Sequence, residues 1–283
     1  MSIAKSRLIT LAQAKSACRS ALAVAVGGAM VLGSTAANAT TVSLPTPMVD
    51  YAAANYNATT GVWTDSSGNG DNATQTPGSS APTLALNATP NGSAAVTFNG
   101  SQSLNITTGL STSTGFTALA FLDPTTFSAS NVILGIAPNN PNLGGAFEYR
   151  LNGAKQDVVS AGFVDEGTSN TALSLNSWSN INVAVDGSGG TFRLNGSVDG
   201  TCGAWSSGPV TGVIGASSQD GNFIGNIAEI QVYAGALTDA QRQAVEQQFI
   251  NAYVTPVPEP APLILLTGGM GLLLVCKRRK VGA

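Results

Sequence analysis

The feature that most limits the fold of this chain is a succession of short β-favouring runs, separated by turn signals, with no helical stretch between them. Ten runs are predicted as strands: Ala94–Phe98, Ser103–Ile106, Phe116–Leu122, Val132–Ile136, Ala146–Leu151, Val158–Val164, Ile181–Val185, Thr191–Leu194, Val210–Ile214 and Ile227–Tyr233. Ten short strands without intervening helices indicate a sandwich or a barrel rather than an α/β fold.

Side-chain alternation and turn chemistry support this interpretation. Ile181, Val183 and Val185 fall on one face of a predicted strand, because side chains alternate between the two faces. The pair Asn195-Gly196 supplies the positive φ angles that a two-residue hairpin requires. The strands around these residues therefore form a compact meander.

One helix is predicted, at the end of the domain. Thr238 and Gln241 have the spacing of a capping box, which marks a helix start. Val245, Phe249 and Tyr253 recur at every fourth residue and form an apolar stripe. We expect this stripe to pack against the sandwich.

The counts of histidine, cysteine and charged residues exclude several classes of function. There is no histidine, so His-dependent nucleophilic catalysis and His-ligated zinc are excluded. Residues 40–256 carry four basic and 14 acidic side chains, so the domain repels phosphate backbones and nucleic-acid binding is excluded. Cys202 is the single cysteine of that region, so no disulfide can form within it.

Residues 1–39 have the three parts of an export signal peptide. Basic residues come first, the apolar run Ala21–Leu32 follows, and Ala37-Asn38-Ala39 is a small-residue cleavage site. The alternative is a membrane anchor, but this run is too short to cross about 30 Å of hydrocarbon. We expect cleavage after Ala39.

The other end carries a second hydrophobic run. Residues 261–276 are predicted as a transmembrane helix, and the basic cluster Lys277–Lys280 keeps its end in the cytoplasm by the positive-inside rule. Directly upstream, Pro258-Glu259-Pro260 holds the backbone extended, because proline cannot continue a helix and disfavours helix in the residue before it. The result is an exposed tripeptide beside a membrane helix.

This tail, residues 256–283, resembles the PEP-CTERM sorting signal of Gram-negative bacteria, which also occurs on some proteins named as ice-binding. The resemblance implies that the membrane protease exosortase recognises the tail at Pro258-Glu259-Pro260 and processes it. It further implies export across the inner membrane, transient anchoring by the C-terminal helix, and a final place at the cell surface or in the extracellular matrix. A plain C-terminal anchor is the alternative.

Five sequence pieces follow one another in the region between the two ends: Trp63–Gly70, Val96–Gly100, Trp178, Phe192–Gly196 and Phe223–Tyr233. In this order and spacing they resemble the concanavalin A-like jelly roll in its laminin-G-like version, over a domain at residues 40–255. The resemblance implies an all-β, two-sheet sandwich with one C-terminal helix. That family uses the sandwich mostly for carbohydrate or protein recognition, and sometimes for glycoside hydrolysis.

Hydrolysis of a glycoside requires two carboxylates about 5–10 Å apart across the sugar. The β-glucan hydrolases of this fold carry both acids on one strand, in a Glu-x-Asp-x-x-Glu pattern. Here Glu148 and Glu229 have no second acid two or three residues away, and the neighbours Asp165 and Glu166 diverge on a strand. We therefore expect that the chain is not an enzyme.

One loop has part of a calcium-binding pattern. Oxygen-bearing side chains stand at alternate positions from Asp65, with Gly70 sixth, but the twelfth position is Thr76 rather than a bidentate glutamate. The pattern predicts a weak calcium site formed by Asp65, Asn69 and Asp71. A simple turn is the alternative, because Gly, Asn and Ser dominate the loop.

Aromatic side chains are the other candidates, since sugar sites combine an aromatic platform with amide hydrogen bonders. Trp63 and Trp178 match positions that the jelly-roll family packs inside. Trp205 lies in a loop and is the predicted ligand contact.

We expect an exported, exosortase-sorted envelope or matrix protein whose jelly roll recognises polysaccharide or a surface protein. The alternatives are a structural matrix protein without a ligand and a diverged glycoside hydrolase.

Overall fold

The computed structural model describes residues 42–126, 130–137, 147–152, 157–161, 164–205, 209–216 and 222–256. The predicted signal peptide at 1–39, the Pro258-Glu259-Pro260 motif and the transmembrane helix predicted at 261–276 lie outside these residues. Among the residues described, no helix combines the length and the apolar character needed to cross a bilayer.

The described residues form strands in two sheets. The strands are β1 (Val49–Ala52), β2 (Tyr56–Asn57), β3 (Val62–Trp63), β4 (Ala73–Gln75), β5 (Thr83–Ala85), β6 (Ala95–Asn99), β7 (Leu104–Ser111), β8 (Phe116–Pro124), β9 (Ser130–Ala137), β10 (Phe147–Asn152), β11 (Asp157–Ala161), β12 (Val164–Thr168), β13 (Ser179–Asp186), β14 (Gly189–Leu194), β15 (Ser197–Cys202), β16 (Pro209–Ile214) and β17 (Ile224–Ala234). A short 3-10 helix spans Ala53–Asn55, and one α-helix, α1, spans Asp239–Tyr253.

The two sheets have different strand orders. The first, which we call the helix-side sheet, has the order β15-β14-β13-β8-β17-β6-β5, and β1 also pairs with β17. The second has the order β12-β11-β10-β9-β16-β7-β4-β3-β2. Neighbouring strands pair antiparallel, as in the β8–β17 and β9–β16 ladders. The predicted all-β, two-sheet sandwich with a C-terminal helix is confirmed.

The main core lies between the sheets. Ile181, Val183 and Val185 of β13 are fully buried there, as their alternation predicts. Trp63 from the second sheet belongs to the same cluster. Burial of apolar surface of this kind is the main source of stability for such a domain.

A second, smaller core lies on the outer face of the helix-side sheet, under α1. Leu119 and Phe121 of β8 contact the cluster that contains Val245, Phe249 and Tyr253 of α1. The central strand β8 is therefore buried on both faces. The predicted capping box is present, with the backbone N–H of Gln241 donating to the hydroxyl of Thr238 at 3.3 Å.

Nine of the ten predicted runs each overlap one observed strand. The prediction of a single strand at Val158–Val164 is wrong, because two antiparallel strands occupy that run. Val158 in β11 pairs with Thr168 in β12.

Candidate functional site

A cleft of about 210 Å³ opens on the outer face of the helix-side sheet, beside α1. Its walls come from the first residues of β13 and neighbouring β8, the β14–β15 hairpin, the C-terminal half of α1 and the loop before β6. The aromatic and polar lining is Phe121, Trp178, Asn180, Asn195, Gly196 and Glu246, and the apolar rim is Pro90, Ile250 and Val254. We call this site the outer-face cleft.

Two stacked aromatic rings, Phe121 and Trp178, line the outer-face cleft, and Tyr253 packs on Phe121 behind them. The ring of Phe121 stacks on Trp178 with centroids 5.1 Å apart, and on Tyr253 with centroids 5.6 Å apart. The indole nitrogen of half-buried Trp178 donates to the carbonyl oxygen of Ala88 at 3.1 Å. These contacts fix the plane of the Trp178 ring at the edge of the cleft.

Two asparagines of β13 lie on the same outer face but differ in their hydrogen bonding. The amide of Asn182 donates to Oε1 of Glu246 at 2.6 Å and accepts from Arg242 at 3.3 Å. Asn180 is 3% exposed, and neither its amide oxygen nor its amide nitrogen has a hydrogen-bond partner among the described residues. Asn180 lines the cleft, and its unsatisfied amide atoms are buried just beneath the cleft surface.

The charged side chains beside the cleft are already paired with one another. Glu246 and Arg193 are both nearly fully buried, and Nε of Arg193 donates to Oε1 of Glu246 at 2.9 Å. The Arg193 guanidinium also donates to the carbonyl oxygen of Gly196. Two of the three guanidinium nitrogens of Arg193 are therefore engaged within the protein.

A pair of acids, Asp50 and Glu229, lies on the same face, where β1 pairs with β17. The hydroxyl of Tyr253 donates to Oε2 of Glu229 at 2.5 Å, and the amide of Gln231 donates to Oε1 at 2.5 Å. Burial, with a smaller contribution from the nearby carboxyl of Asp50, raises the pKa of Glu229 to about 7. Burial also raises the pKa of Asp50. Glu229 thus meets its second acid across the sheet rather than along its own strand.

Trp205 was predicted as the ligand contact, and the structure corrects this. The side chain is 2% exposed and packs edge-on against Phe116, with ring centroids 5.5 Å apart. Its indole nitrogen donates to the carbonyl oxygen of Thr112 at 3.1 Å. The loop folds back over the core, so a loop position did not mean exposure. Trp178, predicted to be internal, is the tryptophan that lines the cleft.

The predicted calcium loop is held together by its own hydrogen bonds. The carboxylate of Asp65 accepts from the backbone N–H groups of Asp50, Ser67 and Asp71 and from the hydroxyl of Ser67. Burial raises the pKa of Asp65, but these hydrogen bonds outweigh it and hold the pKa below its ordinary value. The Asn69 amide nitrogen donates to the carbonyl oxygen of Met48 at 2.9 Å. The described residues contain no group of three or more acidic, cysteine or histidine side chains placed to hold a metal. Both oxygens of Asp65 are already occupied, so the geometry is that of a turn.

Residues 98–241 match the laminin G family model described as the concanavalin A-like lectin/glucanases superfamily. The match covers half of the chain. The chain belongs to this superfamily. No curated protein sequence is significantly similar to the chain.

Solved structures with the superfamily sandwich include three of different origin. Domain 4 of the extracellular arabinanase AbnA from Geobacillus stearothermophilus, in complex with arabinotriose, has a TM-score of 0.53 at 17% identity, over 71% of this chain and 98% of that domain. The Trypanosoma rangeli sialidase in complex with the inhibitor DANA has a TM-score of 0.53 at 13% identity, over 74% of this chain and 34% of the sialidase. The binding domain of Paraclostridial Mosquitocidal Protein 1 has a TM-score of 0.52 at 14% identity, over 73% of this chain and 53% of that binding domain. At these identities the likeness shows the fold.

The expectation that the chain is not an enzyme is corrected by these structures. Two of the three neighbours belong to glycoside hydrolases, an arabinanase and a sialidase. The missing Glu-x-Asp-x-x-Glu strand excludes one hydrolase pattern, whereas the superfamily sandwich also occurs in hydrolases of other kinds. An argument from a single strand pattern was too narrow to exclude catalysis.

Proposed function

We propose that this superfamily domain binds carbohydrate in the outer-face cleft. The observation that carries the proposal is the unsatisfied amide of Asn180 beside the ring of Trp178. A sugar ring offers C–H groups that pack on an aromatic face and hydroxyl groups that both donate and accept hydrogen bonds. One ligand therefore satisfies both features of the cleft.

The state of Asn180 is costly for a side chain with a purely structural role. A buried polar group without a partner costs about 1–3 kcal/mol of stability. Asn182, two residues further along β13, shows that the same face can satisfy an asparagine completely. Proteins retain unsatisfied buried polar groups mainly at functional sites. A hydroxyl group of a ligand in the cleft would be the missing hydrogen-bond partner of Asn180.

The proposed place of the domain in the cell agrees with a glycan ligand. We propose that residues 1–39 direct export, that residues 40–255 form the recognition domain, and that exosortase processes the tail at residues 256–283. The segment at 261–276 then anchors the chain in the membrane only until processing. An exported protein released at a bacterial cell surface meets the glycans of that surface at high local concentration. A surface protein is the alternative partner.

Binding is tested on a glycan array with the full chain, kept in a detergent that has no sugar headgroup. We expect Trp178→Ala to lose the array signal and Trp178→Phe to retain most of it, because phenylalanine preserves an aromatic face. No signal for any glycan with the unaltered chain would contradict carbohydrate binding. Chromatography of the bound oligosaccharides after incubation detects hydrolysis, the alternative activity of this superfamily.

Processing of the tail is tested separately in cells that carry exosortase. Intact-mass analysis of the surface protein should show a chain that ends near Pro258-Glu259-Pro260 and begins after Ala39. A mature protein that still contains residues 261–283 contradicts the sorting proposal and leaves the binding proposal unaffected.

A further inference from the structure

We infer that the outer-face cleft takes the terminal residue of an uncharged glycan chain, and that the Asn180 amide recognises the hydroxyl groups of that residue. The inference rests on the proposed carbohydrate binding. It adds that the bound part of the glycan is its terminal sugar, that this sugar is uncharged, and that Asn180 recognises it. Three independent observations lead to it.

The first observation is the size and enclosure of the cleft. Its volume of about 210 Å³ lies below the roughly 300–1,000 Å³ of pockets that hold drug-sized ligands. Its lining includes Ile250 of α1, Val254 just after the helix, Pro90, and Asn195 and Gly196 of the β14–β15 hairpin. Such a pocket has room for one sugar ring. The rest of the glycan then extends into solvent and makes few contacts.

The second observation is the charge of the cleft lining. Recognition of a carboxylate or a sulfate group relies on an arginine or lysine with free N–H donors. Arg193 uses Nε on Glu246 and another guanidinium nitrogen on the Gly196 carbonyl oxygen. The ionisable group that lines the cleft is the carboxyl of Glu246. Glu246 is itself paired with Arg193, so an anionic sugar finds no unpaired cation in the cleft lining and loses hydration without gaining an ion pair.

The third observation is the way in which Asn180 is held. Its backbone N–H donates to Oδ1 of Asn195 at 2.9 Å, and its carbonyl oxygen accepts from the Asn195 N–H at 2.8 Å. The main chain is thus fixed while the amide makes no hydrogen bond. Turning the amide toward the cleft breaks no existing bond. One amide offers a donor and an acceptor side by side, which matches two adjacent hydroxyl groups of a sugar.

The test is titration calorimetry with the full chain in a detergent without a sugar headgroup. The probes are the methyl glycosides of arabinose, xylose, glucose and galactose, their linear di- to pentasaccharides, and methyl glucuronide and galacturonide as charged counterparts. For the sugar that binds, we expect Kd to stay within about threefold from methyl glycoside to pentasaccharide, since only the end residue is held. We expect the matching uronide to bind about tenfold or more weakly.

Asn180→Leu and Asn182→Leu form a matched pair, because leucine replaces the amide with an apolar group of similar shape. Loss of two hydrogen bonds in Asn180→Leu should weaken binding about tenfold or more, without lowering Tm. Asn182→Leu should lower Tm, because it removes the buried hydrogen bonds that the Asn182 amide makes with Glu246 and Arg242. The substitution Asn251→Ala on the exposed face of α1 should change neither quantity.

Each result tests a different part of the inference. An affinity that rises more than about tenfold with chain length overturns recognition of the chain end. Equal binding of sugar and uronide overturns the selection for uncharged glycans, and unchanged binding by a folded Asn180→Leu overturns the role of Asn180. If no probe and no array glycan binds the unaltered chain, the proposed function itself fails.

Discussion

At the scale of single residues, the acids Asp50 and Glu229 are unusual because they share a buried site without a positive partner among the described residues. Their neighbours are tyrosine and glutamine side chains, and Tyr233 extends the network by donating to Gln231 at 2.7 Å. Removal from water disfavours the charged form of both carboxyls, which is why the pKa of each is raised. The folded domain therefore retains a proton that the unfolded chain releases.

We predict that the stability of the domain falls as pH rises from about 4.5 to about 7. Glu229 releases its proton near pH 4.5 when unfolded and near pH 7 when folded, so its stabilisation is complete below 4.5 and lost on the way to 7. The loss is on the order of 3 kcal/mol. Urea unfolding across this pH range measures it.

The substitution Glu229→Gln should flatten this decline, because glutamine mimics the protonated acid. Asp186→Asn, at an exposed turn, should leave the decline in place. An unaltered protein with constant stability between pH 4.5 and 7 contradicts the buried acid pair.

Trp205 is predicted to be a stabilising residue. Trp205→Ala should lower the free energy of unfolding by about 3–5 kcal/mol, because it empties a buried indole site and removes the hydrogen bond to the Thr112 carbonyl oxygen. Trp205→Phe should cost less, since it retains the ring that packs on Phe116. Urea unfolding at constant pH gives both values. An alanine variant as stable as the parent means that Trp205 is not in the core.

The environments of Trp205 and Trp178 show that sequence alone does not determine which tryptophan is buried and which lines a cleft. Trp205 is buried because its backbone N–H donates to the carbonyl oxygen of Asp186, which draws the loop over the sandwich. Trp178 stands one residue before β13, and its ring stacks on Phe121 of another strand. Both environments depend on contacts between segments far apart in the chain. Alternation along a single strand does not contain that information.

At the scale of secondary structure, α1 is the element whose position matters most for the outer-face cleft. The capping box at its start joins Thr238 and Gln241 by two reciprocal hydrogen bonds. Further along, Glu246 and Ile250 line the cleft. Stability of the helix start is thus linked to the geometry of the site.

Thr238→Ala should lower the free energy of unfolding by about 1 kcal/mol, the usual cost of losing an N-cap side chain. Thr238→Ser should restore most of it, because serine retains the accepting oxygen. Thermal unfolding followed by circular dichroism measures both variants. If the alanine and serine variants are equally stable, the capping box contributes nothing.

The strands that sequence analysis located are those long enough to show a period of two, such as β8 and β13. It missed β1 to β5, which have two to four residues each and are defined by their partners, and it also missed the longer β15, which contains Asp199 and Gly200. The run at Val158–Val164 has β-favouring residues at both ends, and Gly162 between them was the signal for a break that the prediction overlooked. A short strand forms because a neighbouring strand offers hydrogen-bond partners, so its position depends on the assembled sheet and not on its own sequence.

At the scale of the whole molecule, the outer-face cleft is assembled from segments that lie between Pro90 and Val254 in the chain. One signal for it was present in the sequence. Asn180 and Asn182 alternate with core residues of β13, and the predicted helix had to cover some face of the sandwich. Polar residues on a covered face indicate a network or a site. The pairing of Arg193 with Glu246 and the unsatisfied amide of Asn180 could be found only in the folded arrangement.

Residues 40–256 should fold on their own, and reducing agent should not change their stability. Both sheets, the helix α1 and the two apolar clusters of the described structure lie within this segment. Cys202 is its single cysteine, so no internal disulfide contributes, and a domain of about 200 residues buries enough apolar surface without one. Circular dichroism of this segment should show a β-dominated spectrum with the same Tm with and without dithiothreitol. The matched control is the segment that ends at residue 238, which lacks α1. It should expose Leu119 and Phe121 and lose cooperative unfolding. A helix-dominated or unfolded spectrum of residues 40–256, or a Tm that drops on reduction, shows that the domain depends on a segment or a bond outside it.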